Sequence, residues 1–341
     1  MKITRKNIIQ FALFGMIMLL TFYTLFQKHD IGRIITEIQQ MTVRSIFCAV
    51  LLSVFFVSAE GIMIWYLLSA LGNSCKVRQC VSYSFIGFFY SGITPSATGG
   101  QPMQLYYMKK DSLPTSDSSV ILMIVALAYK LVLVVIGFGI LLVWHTPLCS
   151  YLKGYMLLYY IGILLNLGVV LVLIGVMVFP RILLKIAFFL DSVIIRLHLW
   201  KPSKIRRQRI EHFIDSYQLA VEFISKHRTK LLFIGIITLL QRSSMFLLTF
   251  VIYQGFPLGG ASLWEIMALQ AAVYIAVDML PIPGAQGITE LVYQTTFTEI
   301  FTAQYLVPSM MVIRGINFYL LLIICGGVAG WAAWKQRNAK Q

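Results

Sequence analysis

The sequence predicts an all-α polytopic integral membrane protein, with six full transmembrane spans plus two helical hairpins, re-entrant or tilted, in an inverted-topology repeat. Three observations predict it. The 341 residues are 59% hydrophobic and only 12% charged, with a mean hydropathy of +0.81, which excludes an ordinary soluble domain. Six apolar runs reach the roughly 20 residues needed to cross a bilayer, at 8–26, 46–71, 118–144, 154–179, 231–253 and 305–334. Two further apolar regions are interrupted by the same pattern, P-x-A-x-G, at Pro95–Gly99 and Pro283–Gly287. Irregular backbone at membrane depth is tolerated only inside protein or beside a water-filled cavity, and broken helices in matching positions of two halves point to a transport site.

The elements follow in order. The run 8–26 is a retained first span: it is long for a signal-peptide core and no small-residue cleavage site follows it. After span 46–71 comes the first interrupted region, 81–108, broken at Gly92–Pro102, whose arms suit a hairpin. Span 118–144 carries Lys130. Span 154–179 opens the second half, followed by a polar insert over 180–230. Within it, 181–200 reads as an interfacial helix with Arg181, Lys185, Ser192 and Arg196 on one face. Residues 204–228 read as a second amphipathic helix, with Ile210, Phe213, Ile214, Tyr217 and Ile224 on one side. Span 231–253 carries Arg242. The second interrupted region, 263–301, breaks at Pro281–Gly287, and span 305–334 carries Arg314. Residues 1–150 thus form a first membrane repeat and 151–341 a second.

Charge sets the orientation. With the N-terminus in the cytoplasm, 21 of the 28 Lys and Arg fall on cytoplasmic segments, four on outer segments and three within spans. That is the positive-inside pattern, with both termini cytoplasmic. The first hairpin then enters from the cytoplasm and the second from outside. The same distribution explains the net charge of +15 through contact with anionic headgroups, not nucleic acid. Five scattered histidines and five cysteines without zinc-site spacing read as free side chains, so no metal or cofactor is expected.

Ionisable residues inside a membrane are expensive and face a partner or a cavity. Glu60, Lys130, Arg242, Asp278 and Arg314 are such residues. Pairing as internal glue is the plain reading, for instance Glu60 with Arg242 or Asp278 with Arg314. Three cations against two acids leave one positive charge for an anionic ligand, and Arg and Lys both suit a phosphate. The loops supply further candidates. Gly99, Gly100, Gly284 and Gly287 allow close backbone approach, next to Pro95 and Pro283, while Thr94, Ser96, Thr98, Gln101 and Gln286 add hydroxyls and amides. Helices starting near Gln101 and Ile288 would aim N–H groups at the break. Glu290 reads as a helix cap, with cation or proton binding as the alternatives. No nucleophile elbow, zinc-protease motif or nucleotide-binding loop is present.

Three segments carry a family resemblance: 93–107 (ITPSATGGQPMQLYY), 280–290 (LPIPGAQGITE) and 314–320 (RGINFYL). Together they resemble the flippase-like membrane domain of the lysylphosphatidylglycerol synthase family, which includes the bacterial multiple peptide resistance factors. The resemblance implies a bacterial cell-membrane protein that moves aminoacylated phosphatidylglycerol to the outer leaflet. In larger members a C-terminal cytosolic domain performs aminoacyl transfer, whereas this sequence ends at Gln341, just after the last span. The expectation is therefore a lipid transporter that binds a phospholipid or a polyprenyl-linked lipid. Glu60, Asp278 and Glu290 would balance charge or carry a coupling proton. Phosphatidylglycerol lysyltransferase activity and a non-transporting subunit of an envelope enzyme are the alternatives. A separate lipid-modifying enzyme and self-association are the protein partners the reading allows.

Overall fold

A computed structural model describes residues 31–94, 97–179 and 204–338, with a few positions between 182 and 192. The span expected at 8–26, Pro95 and Ser96, and most of the interfacial helix expected at 181–200 lie outside the described residues. Every regular element among the described residues is helical.

A short helix α1 (Ile31–Gln39) precedes α2 (Val43–Ala70). Next come α3 (Val77–Gly92) and α4 (Gly100–Lys110), separated by the first P-x-A-x-G segment. Helix α5 (Thr115–Leu152) kinks at Trp144, where φ is −138° and ψ 28°, and Pro147 follows. The proline removes an amide donor and crowds the preceding turn. The expected end of that span at 144 falls on this kink. Helix α6 (Met156–Val178) turns back along α5, and α7 (Lys204–Lys226) is the amphipathic helix of the insert. Helix α8 (Arg228–Gly255) returns through the core and lies along α2.

The second interrupted region gives α9 (Leu263–Val277) and α10 (Ile288–Thr296). A capping box starts α9: the Ser262 hydroxyl accepts from the Glu265 N–H, and the Glu265 carboxylate accepts from the Ser262 N–H. The chain ends in α11 (Leu306–Arg314), a π-helical segment Gly315–Leu320, and α12 (Leu321–Asn338).

Four helical stretches are long and apolar enough to cross a membrane: Val43–Ala70, Thr115–Val178, Arg228–Gly255 and Leu306–Lys335. The second of these holds both α5 and α6, of 38 and 23 residues, each above the length of a span. By contrast α3, α4, α9 and α10 have 16, 11, 15 and 9 residues, short of a full crossing at 1.5 Å per residue.

Small residues let these helices approach closely. A Cβ on Gly61 would lie 2.4 Å from Val81 Cα, and one on Gly162 would lie 2.2 Å from the Ile275 carbonyl oxygen. Lipid supplies little hydrophobic drive between helices, so such contacts carry the packing of α2 on α3 and of α6 on α9. Polar groups tie the two ends of the bundle. At one end Asn73 donates to Asp117, and Gln79 and Tyr83 both donate to Asp111. At the other, Tyr151 donates to Glu265, Lys153 pairs with Glu299, and Gln304 donates to Glu37.

A candidate functional site between the two broken helices

The first break is held by its own side chains. The Thr94 hydroxyl donates to the Tyr90 carbonyl at 2.6 Å and accepts from the Gly99 N–H at 2.9 Å. Ala97 takes φ +54° to turn the chain. At Gly100 a Cβ would sit 2.1 Å from Ser91 Oγ and 2.8 Å from the Gly87 carbonyl. That glycine therefore closes α4 onto α3. Gly99 likewise sits against Thr94, while Thr98 and Gln101 are exposed.

The second break is tighter. Pro283–Ala285 form a 3₁₀ turn in which Gly284 has φ +61°, and Gly287 has φ +82° just before α10. Both values lie in the region glycine enters without steric cost. Arg314 Nη2 donates to the Gly284 carbonyl at 2.9 Å, which pins the turn to the last span. Gln286 is 3% exposed, and neither polar atom of its side chain has a partner among the described residues.

Both breaks wall one cavity of about 200 Å³. Ser91, Gly92 and Ala97 come from the first region, and Leu280, Ile282, Gly284 and Ala285 from the second. The wall is mostly apolar and aromatic. Its charged members are Asp278, Glu290 and Arg314.

Each of these charges is engaged. Arg314 Nε donates to Glu290 Oε1 at 2.9 Å, with side-chain exposures of 14% and 6%. Lys130 Nζ lies 2.5 Å from Asp278 Oδ2, and the Tyr129 hydroxyl donates to Asp278 Oδ1. Tyr129 also meets the Tyr274 hydroxyl at 2.9 Å. The Arg242 guanidinium stacks 3.4 Å from the Tyr129 ring centroid and 4.8 Å from that of Phe56. Its Nε has no acceptor among the described residues. Gln104 Nε2 donates to Glu60 Oε1 at 2.6 Å, and Arg242 acts on Glu60 through its charge.

Two expectations change. Asp278 pairs with Lys130 and not with Arg314, because α9 ends beside the middle of α5, where Lys130 projects. Glu290 pairs with Arg314 and does not cap α10; the π-helical segment begins directly after Arg314, and its guanidinium reaches both Glu290 and the Gly284 carbonyl. With Glu290 counted, three acids stand against three cations, so these six charges balance among the described residues.

The cavity wall gathers Gly284, Asp278, Glu290 and Arg314. Lys130, Arg242 and Glu60 sit outside the wall, and Gly99, Gly100, Thr98, Gln101, Gln286 and Gly287 support the breaks without lining the cavity. Sequence reasoning missed Ser91, Asn317 and Phe318 on the wall, and Tyr129, Tyr274 and Gln104 in the network. A signal existed for some of these. Tyr129 adjoins the buried Lys130, and Asn317 and Phe318 belong to the RGINFYL run.

A search of curated proteins finds no match to the chain. Residues 7–325, however, match the family described as the lysylphosphatidylglycerol synthase TM region, and because that match spans nearly all of the 341 residues, the protein belongs to this family.

Proposed function

We propose that this chain is a flippase-like membrane lipid transporter that takes the headgroup of a phospholipid, of the aminoacylated phosphatidylglycerol type, or of a polyprenyl-linked lipid, into the cavity between its two broken helices. The observation that carries the reading is that cavity: both P-x-A-x-G regions contribute to one mostly apolar wall bearing an Arg–Glu pair and a carboxylate. An apolar pocket with a few convergent polar groups is the usual form of a small-ligand site.

The proposed architecture has six spans and two re-entrant hairpins, α3–α4 and α9–α10, in an inverted repeat over 1–150 and 151–341. Helix packing supports it. Exchange of the halves maps α2 onto α8, α3 onto α9, and α5 onto α11–α12. Helices α2 and α8 pack on each other, and the contact of α3 with α12 is mirrored by that of α9 with α5. The end clusters support the topology: 73, 79, 83, 111 and 117 group together, as do 37, 151, 153, 265, 299 and 304. In this reading both termini lie in the cytoplasm of a bacterial cell, an orientation that the excess of Lys and Arg on those segments supports.

In this reading Arg314 offers its guanidinium to the phosphate once Glu290 shares it, and Asp278 receives hydrogen-bond donors of the headgroup. Lys130 and Arg242 act from behind the wall by holding Asp278 and Tyr129. The test is reconstitution into vesicles containing a headgroup-reporter phospholipid. Protein-dependent exchange between leaflets is expected, and it should fall in Arg314→Gln with the folded protein retained. Vesicles in which wild-type protein moves no lipid of either class would overturn the proposal.

A further inference from the structure

The two carboxylates on the cavity wall are held differently. Asp278 accepts at both oxygens, from Tyr129 at Oδ1 and from Lys130 at Oδ2, and keeps only its second lone pairs for a ligand. Glu290 is 4% exposed and accepts at Oε1, from Arg314. Its Oε2 is buried and meets no donor among the described residues. On the same wall, Asn317 Oδ1 is also buried without a donor among the described residues. The π-helical segment Gly315–Leu320 carries Asn317, and such segments recur at functional sites. A buried acceptor left without a donor is costly, so both oxygens favour a donor-rich ligand.

Charge says which donor fits. Arg314 is the wall's one cation among the described residues, and its Nε and Nη2 already serve Glu290 and the Gly284 carbonyl. A phosphate that takes Arg314 from Glu290 strands a buried carboxylate and leaves the wall one negative charge in excess. A headgroup with a primary ammonium beside its phosphate supplies three donors and the missing positive charge together. Six of the residues lining the cavity are aromatic, and ring faces attract an ammonium further.

We infer that Glu290 and Asn317 form the ammonium end of the headgroup site. On binding, the phosphate replaces Glu290 on Arg314, and the headgroup's primary ammonium replaces Arg314 on Glu290, with Asn317 Oδ1 as a second acceptor. The lipid enters by exchanging ion pairs, so the buried carboxylate is never left alone. The inference rests on the lipid-transporter reading and deepens it, because it selects an amine-bearing headgroup and names the residues that read the amine.

The test is a competition read by native mass spectrometry at about pH 6, below the range in which an α-amino group loses its proton. The purified full chain is offered equal amounts of phosphatidylglycerol, its alanyl ester, the N-acetylated alanyl ester and phosphatidylethanolamine, all with the same acyl chains. Acetylation keeps the added bulk and removes the charge. Wild-type protein should retain the alanyl ester over both phosphatidylglycerol and the N-acetyl ester by roughly tenfold or more. Equal retention of phosphatidylethanolamine assigns the site to primary ammonium groups in general, and its exclusion assigns it to the aminoacyl ester; either supports the inference. Asn317→Leu should cut the preference severalfold, Asn317→Asp should raise it, and Glu290→Gln should bring it near one. The opposite signs of the two Asn317 variants separate recognition from packing, and they serve if Glu290→Gln fails to fold. A wild type that holds the alanyl and N-acetyl esters alike overturns the inference and leaves the lipid reading standing, as does a preference that ignores both folded Asn317 variants. Binding of none of the four lipids to wild type removes the lipid reading itself and the inference with it.

Discussion

Replacing Lys130 by Met should destabilise the fold, and replacing Asp278 by Asn in the same chain should restore most of the loss. The pair is close, 2.5 Å between Nζ and Oδ2, and both side chains are largely buried at 13% and 10% exposure. A surface pair of this kind is worth about 0–1 kcal/mol. Breaking a buried one leaves a charge without a partner and costs about 3–5 kcal/mol. Tyr129 still donates to the stranded carboxylate and offsets about 1 kcal/mol of that. The net expectation for Lys130→Met is therefore a loss of about 2–4 kcal/mol. In Lys130→Met/Asp278→Asn no charge is stranded, and stability should return to within about 1 kcal/mol of wild type. The assay is reversible unfolding in mixed micelles, followed by helical circular dichroism. A single variant as stable as wild type, or a double variant no better than the single, would show that the pair is not the structural clamp described.

Three further outcomes follow from named contacts. Gly284→Ala should lose about 1–3 kcal/mol, because φ +61° is strained for alanine and the new Cβ would overlap Phe318; adding Phe318→Leu should recover part of the loss in the same unfolding assay. Gly61→Ala and Gly162→Ala should each cost about 1–3 kcal/mol, since their Cβ atoms would meet backbone at 2.4 and 2.2 Å. Gly168→Ala, with nothing within 4 Å, should be neutral, and equal melting of all three would refute the packing argument. In a cysteine-free background, cysteines at Lys153 and Gly260 should react with an impermeant maleimide added outside intact cells, whereas one at Arg78 should react only after lysis; the reverse pattern would invert the orientation.

Much of the architecture was legible because lipid imposes strong rules. The four long apolar helical stretches among the described residues, the two interruptions and the helix starts at Gly100 and Ile288 follow from length, hydropathy and Pro–Gly punctuation. The ends of α2 and α8 fall within a few residues of the expected spans for the same reason. Which side chains share the cavity was less legible. Sequence spacing places Lys130 and Arg314 in spans but does not reveal their rotation, so the partners of Asp278 and Glu290 emerge only from the way α5 and the last span face α9 and α10. The glycines divide likewise. Composition marks all four in the breaks as special, yet only Gly284 lines the cavity, while Gly100 serves helix approach and Gly287 the turn into α10. Phe318 was marked only by its place in the RGINFYL run, because an aromatic residue in an apolar span does not reveal what it packs against until its neighbours are known.

The most direct test of the central claim is native mass spectrometry of the protein extracted in mild detergent with its own lipids. The account predicts a near-stoichiometric phospholipid or polyprenyl-linked lipid on the wild-type chain, retained at activation energies that strip annular lipid. It also predicts that the retained lipid falls sharply in Arg314→Gln, with folding intact. A folded wild-type chain that carries no tightly held lipid, or an Arg314→Gln variant that holds the same lipid as firmly, would contradict the assignment of this cavity to a lipid headgroup.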